Sequence, residues 1–210
     1  MSRLIVSNIE TQNIKFDSDT TAFTIGSDGS TSGVGAPMTK LASGSSTSTV
    51  SEIEISTNYA GFNNFKLTMN VNGDDTSTTT GRMLWKRDGQ SSYDSSTDYA
   101  YQSALIDSGS GNNDNQNGSG TYLKWFGLPN QATDKGFMFD MFLNGIGSST
   151  RGSCYHCLTT LTNLDGTYGS WIVGGGYDNA TMSRNKVISL KFYFGTGNFA
   201  EHHYELYGIR

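Results

Sequence analysis

The chain alternates. In "NFKLTMNVNGD", Phe65, Leu67, Met69 and Val71 are separated by Lys66, Thr68 and Asn70, and the run stops at Asn72-Gly73, a turn pair. "VSEIEIS" sets Ile53 and Ile55 against Glu52 and Glu54, and "GFMFDMFLNG" puts Phe137, Phe139, Met141 and Leu143 on one face. "KVISLKFYFG" alternates Ile188, Leu190, Phe192 and Phe194 with Val187, Ser189, Lys191 and Tyr193. A period of two with one apolar side marks an antiparallel strand whose other side is solvated. "GRMLWKRDG", "TDYAYQSALID", "TYLKWFGL", "CYHCLTTLTN", "GSWIVGG" and the closing "HHYELYGIR" add further strands. About nine strands with turn signals between them and no helical period predict an all-β antiparallel sandwich over residues 34–210. A jelly roll is the natural topology, and a closed barrel satisfies the same pattern.

Residues 1–33 read differently. Their apolar residues are too sparse to form a core of their own and need another surface to cover them. This predicts an extended N-terminal arm that docks through Leu4, Ile5, Val6, Ile9, Ile14, Phe16, Phe23 and Ile25. Next, "GSTSGVGAPMTKLASGSSTST" reads as a Gly/Ser/Thr linker. "DSGSGNNDNQNGSG", from Asp107 to Gly120, has no apolar residue and reads as a long solvated loop, with no complete calcium-binding pattern. "VGGGYDN" reads as a turn between strands.

Composition sharpens this picture. Aromatics make up 12% of 210 residues, Gly numbers 26 and Pro 2, which suits many strands and turns and argues against disorder. Charged residues are 16% and the net charge is −5, so no basic surface for nucleic acid is expected. No apolar stretch is long enough to span a membrane. The run Leu4-Ile5-Val6 is too short for a secretion signal, which predicts synthesis in a cytoplasm without export.

Candidate chemistry is sparse. Neither a G-x-S-x-G, an H-E-x-x-H nor a phosphate-cradling loop is present. Asp98, Asp140, Glu201 and Glu205 are available acids, but strand acids normally face water, and an enzyme is not expected. Cys154 and Cys157 form a C-x-x-C pair with no second pair to complete a zinc site. On a strand they point to opposite faces, and cytoplasmic assembly favours free thiols. His202 and His203 likewise diverge, so no metal and no cofactor is expected. Tyr99, Tyr101, Trp125 and Trp171 could form an aromatic platform for a glycan; the competing reading is core and cross-strand packing.

The two ends of the chain carry a resemblance. "SRLIVSNIETQNIKFDSDTTAFTIGSDGS" resembles the N-terminal segments of tailed-phage virion proteins, especially of marine phages. "NKVISLKFYFGTGNFAEHHYELYGIR" looks like the last two strands of a jelly-roll domain common in such proteins, with Tyr204, Leu206, Tyr207, Gly208, Ile209 and Arg210 at the marker positions. Tyr204 stands where that pattern often has Phe, and "AEHH" is unusually polar. The resemblance implies a non-enzymatic virion structural protein. One form is a capsid decoration (cement) protein, a homotrimer on the capsid surface where major capsid subunits meet. The other is a tail or head fibre component that binds host surface glycans. The short chain, with no room for a long shaft, favours decoration.

Overall fold

In the computed structural model the described residues are 13–15, 21–25, 31–33, 38–74, 78–95, 97, 99–107, 115–125, 131–132, 136–149, 152–162, 168–177 and 185–210. Every regular element among them is a strand. In chain order they are β1 (Asn13–Lys15), β2 (Thr21–Ile25), β3 (Thr31–Gly33), β4 (Met38–Ser46), β5 (Glu52–Ser56), β6 (Asn64–Gly73), β7 (Thr78–Thr79), β8 (Gly81–Arg87) and β9 (Tyr99–Asp107). There follow β10 (Asn115–Gly120), β11 (Leu123–Lys124), β12 (Gln131–Ala132), β13 (Gly136–Asn144), β14 (Cys154–Thr162), β15 (Tyr168–Tyr177), β16 (Val187–Phe194) and β17 (Phe199–Ile209).

Two antiparallel sheets make a sandwich of jelly-roll type. The large sheet has eight strands in the order β10-β9-β15-β14-β13-β6-β17-β4, and the small one has four, β11-β8-β16-β5. Alternation explains the layering. In β13, Phe137, Phe139, Met141 and Leu143 are buried and the residues between them are not. The two inner faces meet ring against ring: Phe139 lies 5.9 Å from Phe192, Phe137 lies 6.0 Å from Phe194, and Trp85 stands edge-on to Tyr99 at 6.3 Å. Offset and edge-on pairs of this kind hold sheets together beyond their buried area. Residues β7 and β12 make a separate two-stranded ladder. In the N-terminal stretch, β1, β2 and β3 pair with one another: Ile14 opposes Phe23, and Phe23 opposes Gly33.

Several segments depart from the pattern expected of them. Met38–Ser46, within the expected linker, is β4, the edge strand that pairs with β17. Asn115–Gly120, within the expected loop, is β10, the opposite edge, paired with β9. β10 is small and polar, and β4 is largely so, with only Leu41 and Ala42 packed against the core, so their ladders rest mainly on the neighbour's backbone. The glycine run of "VGGGYDN" lies inside β15. A Cβ on Gly175 would come within 2.4 Å of the Ala100 carbonyl oxygen, so only glycine lets these strands close up there. In β16 a bulge between Val187 and Ser189 resets the alternation. Val187 is therefore buried, and Ile188 is only half-buried, the reverse of the sequence expectation.

Candidate functional site

The outer face of the large sheet is where the chain departs from ordinary strand chemistry. Its inner positions are filled as the alternation demands, but three central strands also carry apolar residues outward. Met138 on β13 is 59% exposed, Leu158 on β14 50% and Ile172 on β15 51%. Leu158 and Ile172 are direct cross-strand partners, and Met138, opposite Thr160, sits diagonally next to Leu158. Met38, on β4, is the remaining exposed large apolar side chain among the described residues, and it lies on this same face.

Beside this patch, Phe142 stacks on His156 at 4.9 Å and 17°, and Lys66 Nζ lies 5.7 Å from the Phe142 ring. Lys66 also reaches Asp140 at 3.6 Å. Towards the β4 edge, Lys40 Nζ donates to Glu205 Oε1 at 3.1 Å, and the Tyr207 hydroxyl donates to the other Glu205 oxygen. The Tyr207 hydrogen bond and then the Lys40 one hold the Glu205 carboxyl below its usual range. A groove of about 380 Å³ runs past the apolar patch, between Met138, Thr160, Asn70, Asn72, Glu201 and His203. In it Asn72 Nδ2 donates to Glu201 Oε2 at 3.3 Å.

Two of the four aromatics considered for a glycan platform follow the competing reading, core packing. Tyr99 and Trp125 are both 0% exposed, in the core between the sheets. The Tyr99 hydroxyl is already used: it accepts from the Trp85 amide at 2.9 Å and donates to the Asp94 carbonyl at 3.2 Å. Trp125 donates its ring N–H to the Arg82 carbonyl at 3.1 Å. Neither ring face reaches solvent, so neither can stack on a sugar. Tyr101 is half-buried with Lys124 Nζ 4.8 Å from its ring, and burial raises its hydroxyl pKa. Trp171 belongs to β15, and its side chain lies outside the described residues.

Of the docking-arm residues, Leu4, Ile5, Val6, Ile9 and Phe16 lie outside the described residues. Ile14, Phe23 and Ile25 fall on β1 and β2, whose backbone pairing alone is described. Asp98 also lies outside. Cys154 is exposed and Cys157 buried, as strand geometry requires, and burial pushes the Cys157 thiol up to about 12. His202 and His203 diverge: His203 lines the groove, while burial, then the charge of His203, pull the His202 pKa down. Among the described residues no group of three or more His, Cys, Asp or Glu could hold a metal ion, and no helix is long and apolar enough to cross a membrane.

Met138, Phe142, Leu158 and Ile172 were legible in the sequence as apolar residues in the polar register of consecutive strands. No family model, no curated protein and no solved structure matches the chain.

Proposed function

We propose that this chain is a non-enzymatic structural protein of a tailed-phage virion, a decoration protein that sits on the capsid surface between major capsid subunits. The observation that carries the reading is the outer face of the large sheet. Leu158, Ile172 and Met138 are half or more exposed at its middle, with polar side chains and paired charges around them. An apolar centre with a polar rim is the composition of a surface that protein covers. The resemblance of the chain ends to virion proteins supplies the setting. The core supports the same reading, because its aromatics are consumed in joining the two sheets.

The test is capsid binding by purified protein. The full chain is expected to bind expanded capsids, and a chain lacking residues 1–30 is expected to fold, stay soluble and lose that binding. Full binding by the truncated chain removes the role of the arm. A virion image that places the chain on a fibre, or host-cell binding that competes with infection, replaces decoration by the receptor-binding role.

A further inference from the structure

We infer that the outer face of the large sheet is covered by a second copy of this chain, packed face to face. The inference rests on the reading of that face as one that protein covers; it puts a second copy there, in place of the trimer that the resemblance implies, and leaves the capsid contact to the N-terminal arm.

Size comes first. Apart from β10, the strands of this sheet run from 9 to 11 residues. At ~4.8 Å between strands and ~3.3 Å per residue, the face spans roughly 35 by 30 Å, on the order of 1,000 Å². A stable interface needs about 800 Å² from each partner. The face is large enough for one whole interface by itself.

Charge says which partner. The described outward residues carry Lys40 and Lys66 against Asp140, Glu201 and Glu205. Lys66 meets Asp140, Lys40 meets Glu205, and Glu201 accepts from Asn72. Four of these five charges are paired with each other inside the face, and Glu201, hydrogen-bonded to an amide, lines the groove beside the patch. Covering the face breaks neither ion pair, and no one-signed patch is left to select a partner of opposite sign. A balanced surface with its apolar residues at the centre can be complementary to itself, as an isologous contact requires. The sandwich shows the same packing once already, inner face on inner face, and two twisted sheets meet aligned in this way without new backbone pairing.

The apolar residues lie on β13, β14 and β15, the third to fifth strands of eight, so contact there is central and shielded by polar neighbours. The other sheet has no such centre. Its outer face carries Glu52, Glu54, Lys191, Arg82 and Lys86, and the large side chains among them, Leu84 and Tyr193, are half-buried.

The experiment is sedimentation and light scattering of the full chain at roughly 100 µM, a concentration at which even a modest self-association is populated. The expected mass is twice the 22.7 kDa chain. Leu158→Glu and Ile172→Glu, each checked for an unchanged melting temperature, are expected to halve it, and Lys86→Glu on the other sheet to leave it unchanged. A monomeric wild type overturns the inference. So does an assembly that both face variants leave intact, and so does a three-chain mass, because two faces pressed together close at two. Capsid binding by the same variants separates the two readings. A monomeric wild type that loses capsid binding through Leu158→Glu overturns the second copy and keeps the face as a capsid surface. Dimer-breaking variants that still bind capsids support the second copy as occupant.

Discussion

The two outer faces of the sandwich obey opposite rules. On the small sheet, Lys191 bridges Glu52 at 2.7 Å and Glu54 at 3.3 Å and lies 4.7 Å from the Tyr93 ring, while Arg82 lies 4.5 Å from the Tyr122 ring. Its long side chains are tied down by charge and by aromatic faces. Burial works against the Lys191 charge, but the hydrogen bonds to Glu52 and Glu54 outweigh it and hold its pKa above the ordinary value. On the large sheet the middle strands carry apolar residues outward, and both ion pairs lie on the β4 side of Leu158 and Ile172, with Asp140 directly opposite Leu158. The first face is finished in water. The second leaves three large side chains at its middle half or more exposed. The difference separates a surface that closes a fold from one that continues it.

Both faces stand on one core, so the largest effect erases the comparison. Trp125 packs 4.9 Å from Phe139 of the large sheet and 5.6 Å from Phe194 of the small one. Trp125→Ala is expected to cost about 3–5 kcal/mol in urea unfolding, with both sheets lost in one transition. Next comes Gly175→Ala, which strikes the large sheet alone. Its methyl would stand 2.4 Å from a backbone oxygen that can yield only by moving β9, a strain of about 1–3 kcal/mol and a correspondingly lower melting temperature.

Smaller effects set the faces against each other. Lys191→Ala removes two ion pairs and an aromatic contact and is expected to cost up to about 1 kcal/mol, falling with added salt. Lys66→Ala, with one longer ion pair and a more distant ring, is expected to cost less in the same titration. For acid, the sign follows from Glu205. Its pKa in the fold is below the ordinary 4.5, so its contribution is fully present above about pH 4.5 and disappears as pH falls through the lower folded value. Glu205→Gln is therefore expected to flatten that part of the acid limb of stability. The last prediction carries no energy. A thiol reagent should titrate one cysteine in the native protein and two after denaturation, because Cys154 is exposed while the Cys157 thiol is buried and stays protonated.

Much of the fold is written in side chains and could be read there. Phe65, Leu67, Met69 and Val71 declare an inward face whatever their neighbours are, and all four are buried. β4 and β10 could not be read, because "MTKLASGSS" and "NQNGSG" owe their strand form to β17 and β9. An edge strand of small polar residues resembles a linker until its partner is known. The bulge in β16 was hidden for a similar reason: a local pattern cannot show where the register of two ladders slips. For the site, the aromatics drew attention by chemical type, and type did not separate Tyr99 and Trp125 in the core from a surface platform. The informative residues were plain ones in the wrong register, Met138, Leu158 and Ile172.

The two edges of the large sheet share one arrangement. A Cβ on Gly44 of β4 would meet the Tyr204 ring at 2.6 Å, and one on Gly118 of β10 would meet the Tyr101 hydroxyl at 2.5 Å. In each case a ring from the next strand in lies over an edge glycine, giving back packing that the glycine cannot provide. Each pair is therefore a one-way street for sequence drift. A side chain arriving first at Gly44 or Gly118 collides with a ring already in place, whereas a smaller residue arriving first at Tyr204 or Tyr101 opens the space for it. Descendants of this chain should keep both members or exchange them together, so a glycine-tyrosine covariation at both rims would mark its relatives after the surface between them has changed beyond recognition.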